Sequence, residues 1–154
     1  MDLPYAYFDG VAQNSICGCG FFIIITRDIQ YKAYWNAGLG TNNKAEAMAI
    51  WGMLWLIKLL DIPGICIYGD SKIIREPVKG KAHIKQQELQ GWLRRIEGLW
   101  IQLGEPSICH ISRVHNQTVD ELSKRGLLGN LGEVRMVIIM EDKRIGTVEY
   151  TFPG

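Results

Sequence analysis

The sequence predicts an α/β domain: a mixed five-stranded sheet with helices on both faces, followed by a C-terminal β-hairpin. Three observations predict it. First, three strand-like segments lie within the first 37 residues, joined by connections too short for a crossover, so neighbours should be antiparallel. Second, two short apolar segments further on, at 65–68 and 107–113, each follow a helical pattern. Strands reached by helical crossovers should lie parallel to the first strand. Third, two apolar runs, 134–140 and 145–151, flank Glu141, Asp142, Lys143 and Arg144, which suits a hairpin.

Each element has its own local signal. Residues 5–9 alternate, with Tyr5, Tyr7 and Asp9 on one side, as a strand does. Residues 10–20 are rich in glycine, with Asn14 and Ser15, and read as turn. The continuous apolar run 21–25 suits a strand buried on both faces. Arg27, Asp28 and Gln30 offer a turn, and 31–37 the returning strand. Thr41, Asn42 and Asn43 precede a strong helical pattern at 44–60, which Pro63 and Gly64 end. Asp70 stands just past the strand 65–68, and a helix is expected to start at Ser71. Pro77 and Gly80 interrupt it, and a longer helix is expected over 84–103, with Trp92, Leu93, Ile96 and Trp100 as its apolar stripe. A last helix is expected from Asp120 to about Leu128. The boundaries expected are one domain over 1–128 and a hairpin extension over 129–154.

At 154 residues, 47% apolar and 21% charged, the composition is that of a globular chain rather than a disordered one. No segment is long and apolar enough to cross a bilayer, so no membrane partner is expected. Met1, Asp2, Leu3 and Pro4 put an acid where a secretion signal needs basic residues. Cys17, Cys19, Cys66 and Cys109 form no zinc-type spacing and sit in apolar surroundings, which suits reduced thiols. The expectation is an intracellular protein, cytoplasmic or nuclear and not secreted. Net charge is only +1, yet Lys72, Arg75, Lys79, Lys81 and Lys85 cluster around a single acid, Glu76. Such a patch could hold phosphates, or be an ordinary solvated helix face.

Four acids stand at element ends rather than on solvated faces. Asp9 ends the first strand and Asp70 the fourth, and parallel neighbours bring such ends to one sheet edge. Glu46 is expected in the first turn of its helix and Asp120 at the start of the last. Four converging carboxylates repel unless divalent cations neutralise them. Two Mg²⁺ ions bound by carboxylates and water could act on a phosphodiester. Each acid also has a plainer reading. Asp9 before Gly10 can be a turn former, Asn43 and Glu46 fit a capping box, and Asp70 and Asp120 fit helix N-caps. Spacing alone leaves these readings open.

The chain resembles a known family at four blocks: Phe8-Asp9-Gly10; Thr41-Asn42-Asn43-Lys44-Ala45-Glu46-Ala47; Tyr68-Gly69-Asp70-Ser71; and Val119-Asp120-Glu121-Leu122-Ser123. They are similar to the signature blocks of type 1 ribonuclease H, in the family's order, with acids 37, 24 and 50 residues apart. The resemblance covers about Leu3 to Leu128. Arg27-Asp28 and Arg113-x-x-Asn116 are most similar to plant ribonuclease H-like domains, including retrotransposon-related ones. The resemblance implies a ribonuclease H-like fold and a metal-dependent endonuclease cutting the RNA strand of RNA/DNA hybrids. It implies that Asp9, Glu46, Asp70 and Asp120 bind two Mg²⁺ ions, with Mn²⁺ as a substitute. Asn14, Asn42 and Asn43 match positions that contact the hybrid's minor groove. Amides can read a 2′-hydroxyl. Gly10 would let the backbone approach the nucleic acid, and Ser71, Lys72, Lys79 and Lys81 are further candidates for substrate binding.

Two features depart from the family pattern. Many members carry a histidine in a mobile loop before the last aspartate. The corresponding loop here, 114–119, is short, and His115 is its one candidate, since His110 belongs to the preceding strand and His83 to a helix start. The basic extra helix of some bacterial members has no counterpart beyond the lysine cluster. The apolar hairpin, with Met136 to Met140, should pack on the domain or pair with another chain, which makes self-association an expected partner mode. Competing readings are an integrase- or resolvase-like nuclease, a plant-type relative cutting double-stranded RNA, a non-catalytic nucleic-acid-binding module with a retained acidic site, and an assembly domain working through its hairpin.

Overall fold

The structure, a computed structural model, describes residues 4–69, 87–109 and 113–151. Three strands open the chain: β1 (Tyr5–Gln13), β2 (Ile16–Ile24) and β3 (Ile29–Leu39). They form an antiparallel meander. Helix α1 (Asn42–Leu60) follows, then β4 (Cys66–Tyr68), α2 (Gln87–Gln102), β5 (Ser107–Cys109) and α3 (Arg113–Gly126). The hairpin β6 (Glu133–Met140) and β7 (Lys143–Thr151) ends it. Strands β4 and β5 run parallel to β1, as the crossovers require.

All seven strands form one sheet in the order β5-β4-β1-β2-β3-β6-β7. The expected five-stranded mixed sheet is its first five members. The hairpin is not a separate layer, because β6 pairs with β3 from Ile29↔Met140 to Trp35↔Val134. The apolar β6 thus gains a partner on each side within its own chain, and the more polar β7 becomes the outer strand.

Helices cover both faces, and strand alternation decides which residues meet which helix. Ala6, Phe8, Cys19, Phe21, Ile23, Ala33 and Trp35 point to the side of α1 and α2 and form the main core. Tyr5, Tyr7, Phe22 and Ile24 point the other way and pack with Val119 and Leu122 of α3. Helix α1 is buried nearly all round, from Ala45 and Ala47 to Leu56 and Ile57. The sheet lies on one side of it and α2 on another, where Trp51 meets Trp92 edge-on at 5.5 Å. Trp55 stacks on Tyr150 of β7 at 5.8 Å.

Residues 10–20 differ from the expected turn-rich stretch. Strands β1 and β2 run through them, and the turn is only Asn14 and Ser15, at φ 52° and 63°. Two consecutive left-handed residues make the two-residue hairpin that matches strand twist. Glu141 and Asp142 do the same between β6 and β7, at φ 51° and 60°. The last helix also starts earlier than expected, at Arg113, so Asp120 sits mid-helix rather than at its start.

Candidate active site

Asp9 lies near the middle of β1, on the face toward α3, and is half-buried. Its cross-strand partner is Gly20, and that of Val11 is Gly18. Two glycines at period two leave a flat trough on β2, and α3 settles into it. A Cβ on Gly20 would come within 2.7 Å of the Leu122 Cβ and 2.9 Å of the Ser123 nitrogen, and one on Gly18 would overlap the Ser123 carbonyl oxygen. This close approach carries Asp120 and Ser123 up to Asp9. The Asp9 carboxylate accepts at Oδ1 from the Gly10 N–H, 3.0 Å, and its Oδ2 lies 3.3 Å from the Ser123 hydroxyl. The same hydroxyl is 2.8 Å from the Asp120 carbonyl oxygen.

Burial and the negative charge of Asp120 push the Asp9 carboxyl up to about 6, against the donors Ser123 and Gly10, which pull it down. The two carboxyls are close enough for the Asp120 side chain to hydrogen-bond Asp9. Asp120 also pairs with Lys124 one turn on, at 3.0 Å. Two oxygen-only ligands that repel each other are what a hard divalent cation relieves. Among the described residues, no group of three or more histidine, cysteine or carboxylate side chains is close enough to hold a metal. A Mg²⁺ site needs only one or two carboxylates when water and substrate phosphate complete it, so the pair fits.

On the other face of the sheet, Gly10 lets α1 approach β1. A Cβ there would overlap the Ala45 carbonyl and the Glu46 nitrogen. The backbone of Glu46 therefore lies against Gly10, the neighbour of Asp9, on the opposite face. It is not in the first turn, and the capping-box reading falls, because Thr41 is the N-cap and its hydroxyl accepts from the Lys44 N–H at 3.3 Å. Position 44, not 46, occupies the reciprocal place of a capping box.

The three asparagines gather at the start of α1. Asn42 Oδ1 accepts from the Ala12 N–H at 2.8 Å, and the Gly40 N–H donates to Ser15 O at 2.8 Å. These bonds tie the Asn14 turn to the start of α1. Asn14, Asn42 and Asn43 are all exposed. Asp70, Ser71, Lys72, Lys79 and Lys81 lie outside the described residues, as do Arg75 and Lys85. Position 115 is in the first turn of α3, not in a loop, so the mobile-loop setting expected for His115 is absent. Cys17, Cys19 and Cys66 are free thiols. Ser123 and the Gly18–Gly20 pair were not singled out from the sequence. The glycines' signal was present in their alternation on one strand face.

The sequence profile of a family described as reverse transcriptase-like matches residues 8–126, more than half of the chain. The chain belongs to that family. Solved structures agree on the fold. The chain is similar to ribonuclease H1 of the halophilic archaeon Halobacterium salinarum, 23% identical, with a TM-score of 0.70, covering 80% of this chain and 96% of that one. It is similar to a compost-metagenome ribonuclease H1, LC11, solved with an RNA/DNA hybrid, at 22% identity and TM-score 0.67, covering 80% and 96%. It is also similar to the N-terminal ribonuclease H domain of a Mycobacterium tuberculosis protein, at 19% and 0.67, covering 80% and 94%. A search of curated protein sequences finds no match. The fold of this family member is the ribonuclease H fold, with β6 and β7 lying beyond the matched residues. Among the described residues, no helix is long and apolar enough to cross a membrane.

Proposed function

We propose that the chain is a ribonuclease H that hydrolyses the RNA strand of RNA/DNA hybrids, using divalent metal ions held by Asp9 and Asp120 together with Glu46 and Asp70. The observation that carries this reading is the Asp9–Asp120 pair: two carboxylates crowded where α3 packs on β1, one of them raised to about 6. The family match and the hybrid bound by the LC11 enzyme support it.

Bound Mg²⁺, or Mn²⁺ in its place, would activate water and neutralise charge on the scissile phosphate. The chain's own residues do the rest. The Gly10 N–H and the Ser123 hydroxyl hold Asp9 from two sides. The Asn42 amide is fixed through its oxygen to Ala12 N, which leaves its nitrogen to donate to a 2′-hydroxyl. Asn14 and Asn43 flank it. The lysine cluster at 72–85 would contact phosphates without reading sequence. The hairpin at 129–154 serves as an extension of the 1–128 unit, since the family match ends at residue 126.

A panel of labelled substrates tests the reading: RNA/DNA hybrid, double-stranded RNA, single-stranded RNA and duplex DNA, each with Mg²⁺, Mn²⁺ or EDTA. Cleavage of the hybrid's RNA strand, with metal only, is the expected result. Preferential cleavage of double-stranded RNA would replace the hybrid as substrate, and cleavage of nothing would leave a nucleic-acid-binding module.

A further inference from the structure

We propose that Ser123 is a positioning residue for the metal centre, holding the Asp9 carboxylate in the orientation that shares a cation with Asp120. The proposal rests on the reading of Asp9 and Asp120 as metal ligands. Ser123 is fully buried, the one buried polar side chain among the described residues. A buried hydroxyl needs a partner, and this one has two acceptors and a single hydrogen to give. The nearer acceptor is the Asp120 carbonyl oxygen, 2.8 Å, and the other is Asp9 Oδ2, 3.3 Å. The first is the ordinary back-bond of a helical serine. The second crosses from helix to strand and ends on an acid of the site.

The backbone of Ser123 has no room to shift. Gly18 and Gly20 sit against its carbonyl and its nitrogen, so the hydroxyl's place relative to β1 is fixed by main-chain contact. Asp9 is thereby met at both oxygens, Oδ1 by the Gly10 N–H of its own strand and Oδ2 by the Ser123 hydroxyl of α3, whose one hydrogen is shared with the Asp120 carbonyl oxygen. The same hydroxyl touches the Asp120 main chain, so one side chain lies between the two acids. A carboxylate in full negative charge is the stronger acceptor, so the Ser123–Asp9 bond gains when a cation keeps Asp9 charged. An alanine at 123 would fill nearly the same volume and leave Asp9 Oδ2 without its donor from the helix.

The test is calorimetric titration of Mn²⁺ into the full chain without nucleic acid, for wild type, Ser123→Ala and Asp9→Asn, with the metal-free melting temperature of each. Ser123→Ala should bind Mn²⁺ about 10-fold more weakly, in the range found when the partner of a metal ligand is removed, and melt within about 2 °C of wild type. In hybrid cleavage, excess Mg²⁺ should restore the rate of Ser123→Ala and not that of Asp9→Asn. Wild-type affinity in Ser123→Ala, with binding lost in Asp9→Asn, would overturn the role of Ser123 and leave the metal site standing. Equal binding by wild type and Asp9→Asn would remove the metal site and the proposal with it. Weaker binding accompanied by a melting temperature more than about 5 °C lower would show repacking of α3 and overturn it as well.

Discussion

Asp9 and Ser123 are 114 positions apart in sequence and meet at 3.3 Å, where α3 lies in the glycine trough of β2. That contact, with Asp120 one turn earlier on the same helix, puts a hydroxyl donor and a second acid beside the Asp9 carboxylate. It leads to expectations for acid, amide, glycine and hairpin in turn.

Asp9 is raised to about 6 from a free value of 3.8, first by burial and then by Asp120. The folded state therefore binds the proton more tightly than the unfolded one. This stability is fully present below about pH 4 and is lost as pH rises through 6, at up to about 1.4 kcal/mol per pH unit. Denaturant melts of the metal-free protein between pH 4 and 7 should show that fall. Asp9→Asn should flatten it, be the more stable protein at pH 7, and lose cleavage.

Asn42 has two jobs, so its variant should show two effects. Losing the bond to Ala12 N should cost about 1 kcal/mol of stability. Losing the amide donor should reduce discrimination between RNA and DNA strands by about 3- to 10-fold, the value of one hydrogen bond. Asn43→Ala should show the second effect without the first, because no bond of that kind ties its side chain to β1. Mn²⁺ affinity should hardly change in either variant. Competition kinetics with hybrid and duplex DNA, beside thermal melts, separate the two effects.

Gly18→Ala places a methyl group on the Ser123 carbonyl oxygen. Backbone cannot swing aside as a flexible side chain does, so the helix must lift. A loss of about 1–3 kcal/mol is expected, with weaker Mn²⁺ binding because Asp120 moves with α3. Gly64→Ala is the control for added bulk, since no neighbour lies within 4 Å of its Cβ position. Its positive φ of 65° makes it strained, so it should lose stability while keeping metal affinity.

Removing residues 129–154 should be far more damaging than trimming a tail. Val134 is fully buried and Met136 nearly so, and each such side chain contributes about 1.5–3 kcal/mol. Trp55 would also lose its stacking partner Tyr150. Against a typical total of about 5–15 kcal/mol, the truncated chain should melt at much lower denaturant, as circular dichroism would show. An unchanged midpoint would mark the hairpin as a separate appendage.

The fold class was legible because alternation and helical periodicity are strong in this chain. The Phe21 run, the 44–60 helix and the 134–140 run all fell on the expected elements. Turn chemistry misled at 10–20, where the glycines serve helix packing on a regular strand and not a loop. Their spacing of two, Gly18 and Gly20, was the clue. The end of the chain misled for a related reason. Val114 to Val119 carries no strong helix-start signal, and what places it in α3 is docking of Val119 and Leu122 on Tyr7 and Phe22. Asp9 was legible as an acid of the first strand, but not as a strand end, because β1 runs on to Gln13 and leaves it near the middle. Its pairing with Asp120 follows only from three-dimensional packing, and Ser123 was hidden because a lone serine in a helix carries no signal of what it faces. The placement of Asp70 lies outside the described residues.

The most direct measurement is the end chemistry of the cleaved RNA. An end-labelled RNA strand in a hybrid is incubated with the protein and Mg²⁺, and the fragments are tested for 3′-hydroxyl and 5′-phosphate ends. A metal held by Asp9 and Asp120 would supply an activated water, and attack by that water predicts these two ends, with no product in EDTA and none from Asp9→Asn. Fragments ending in 2′,3′-cyclic phosphate would contradict it, because the RNA's own 2′-hydroxyl would then be the nucleophile, and cleavage that persists in EDTA would contradict it, because the paired carboxylates would then hold no catalytic metal.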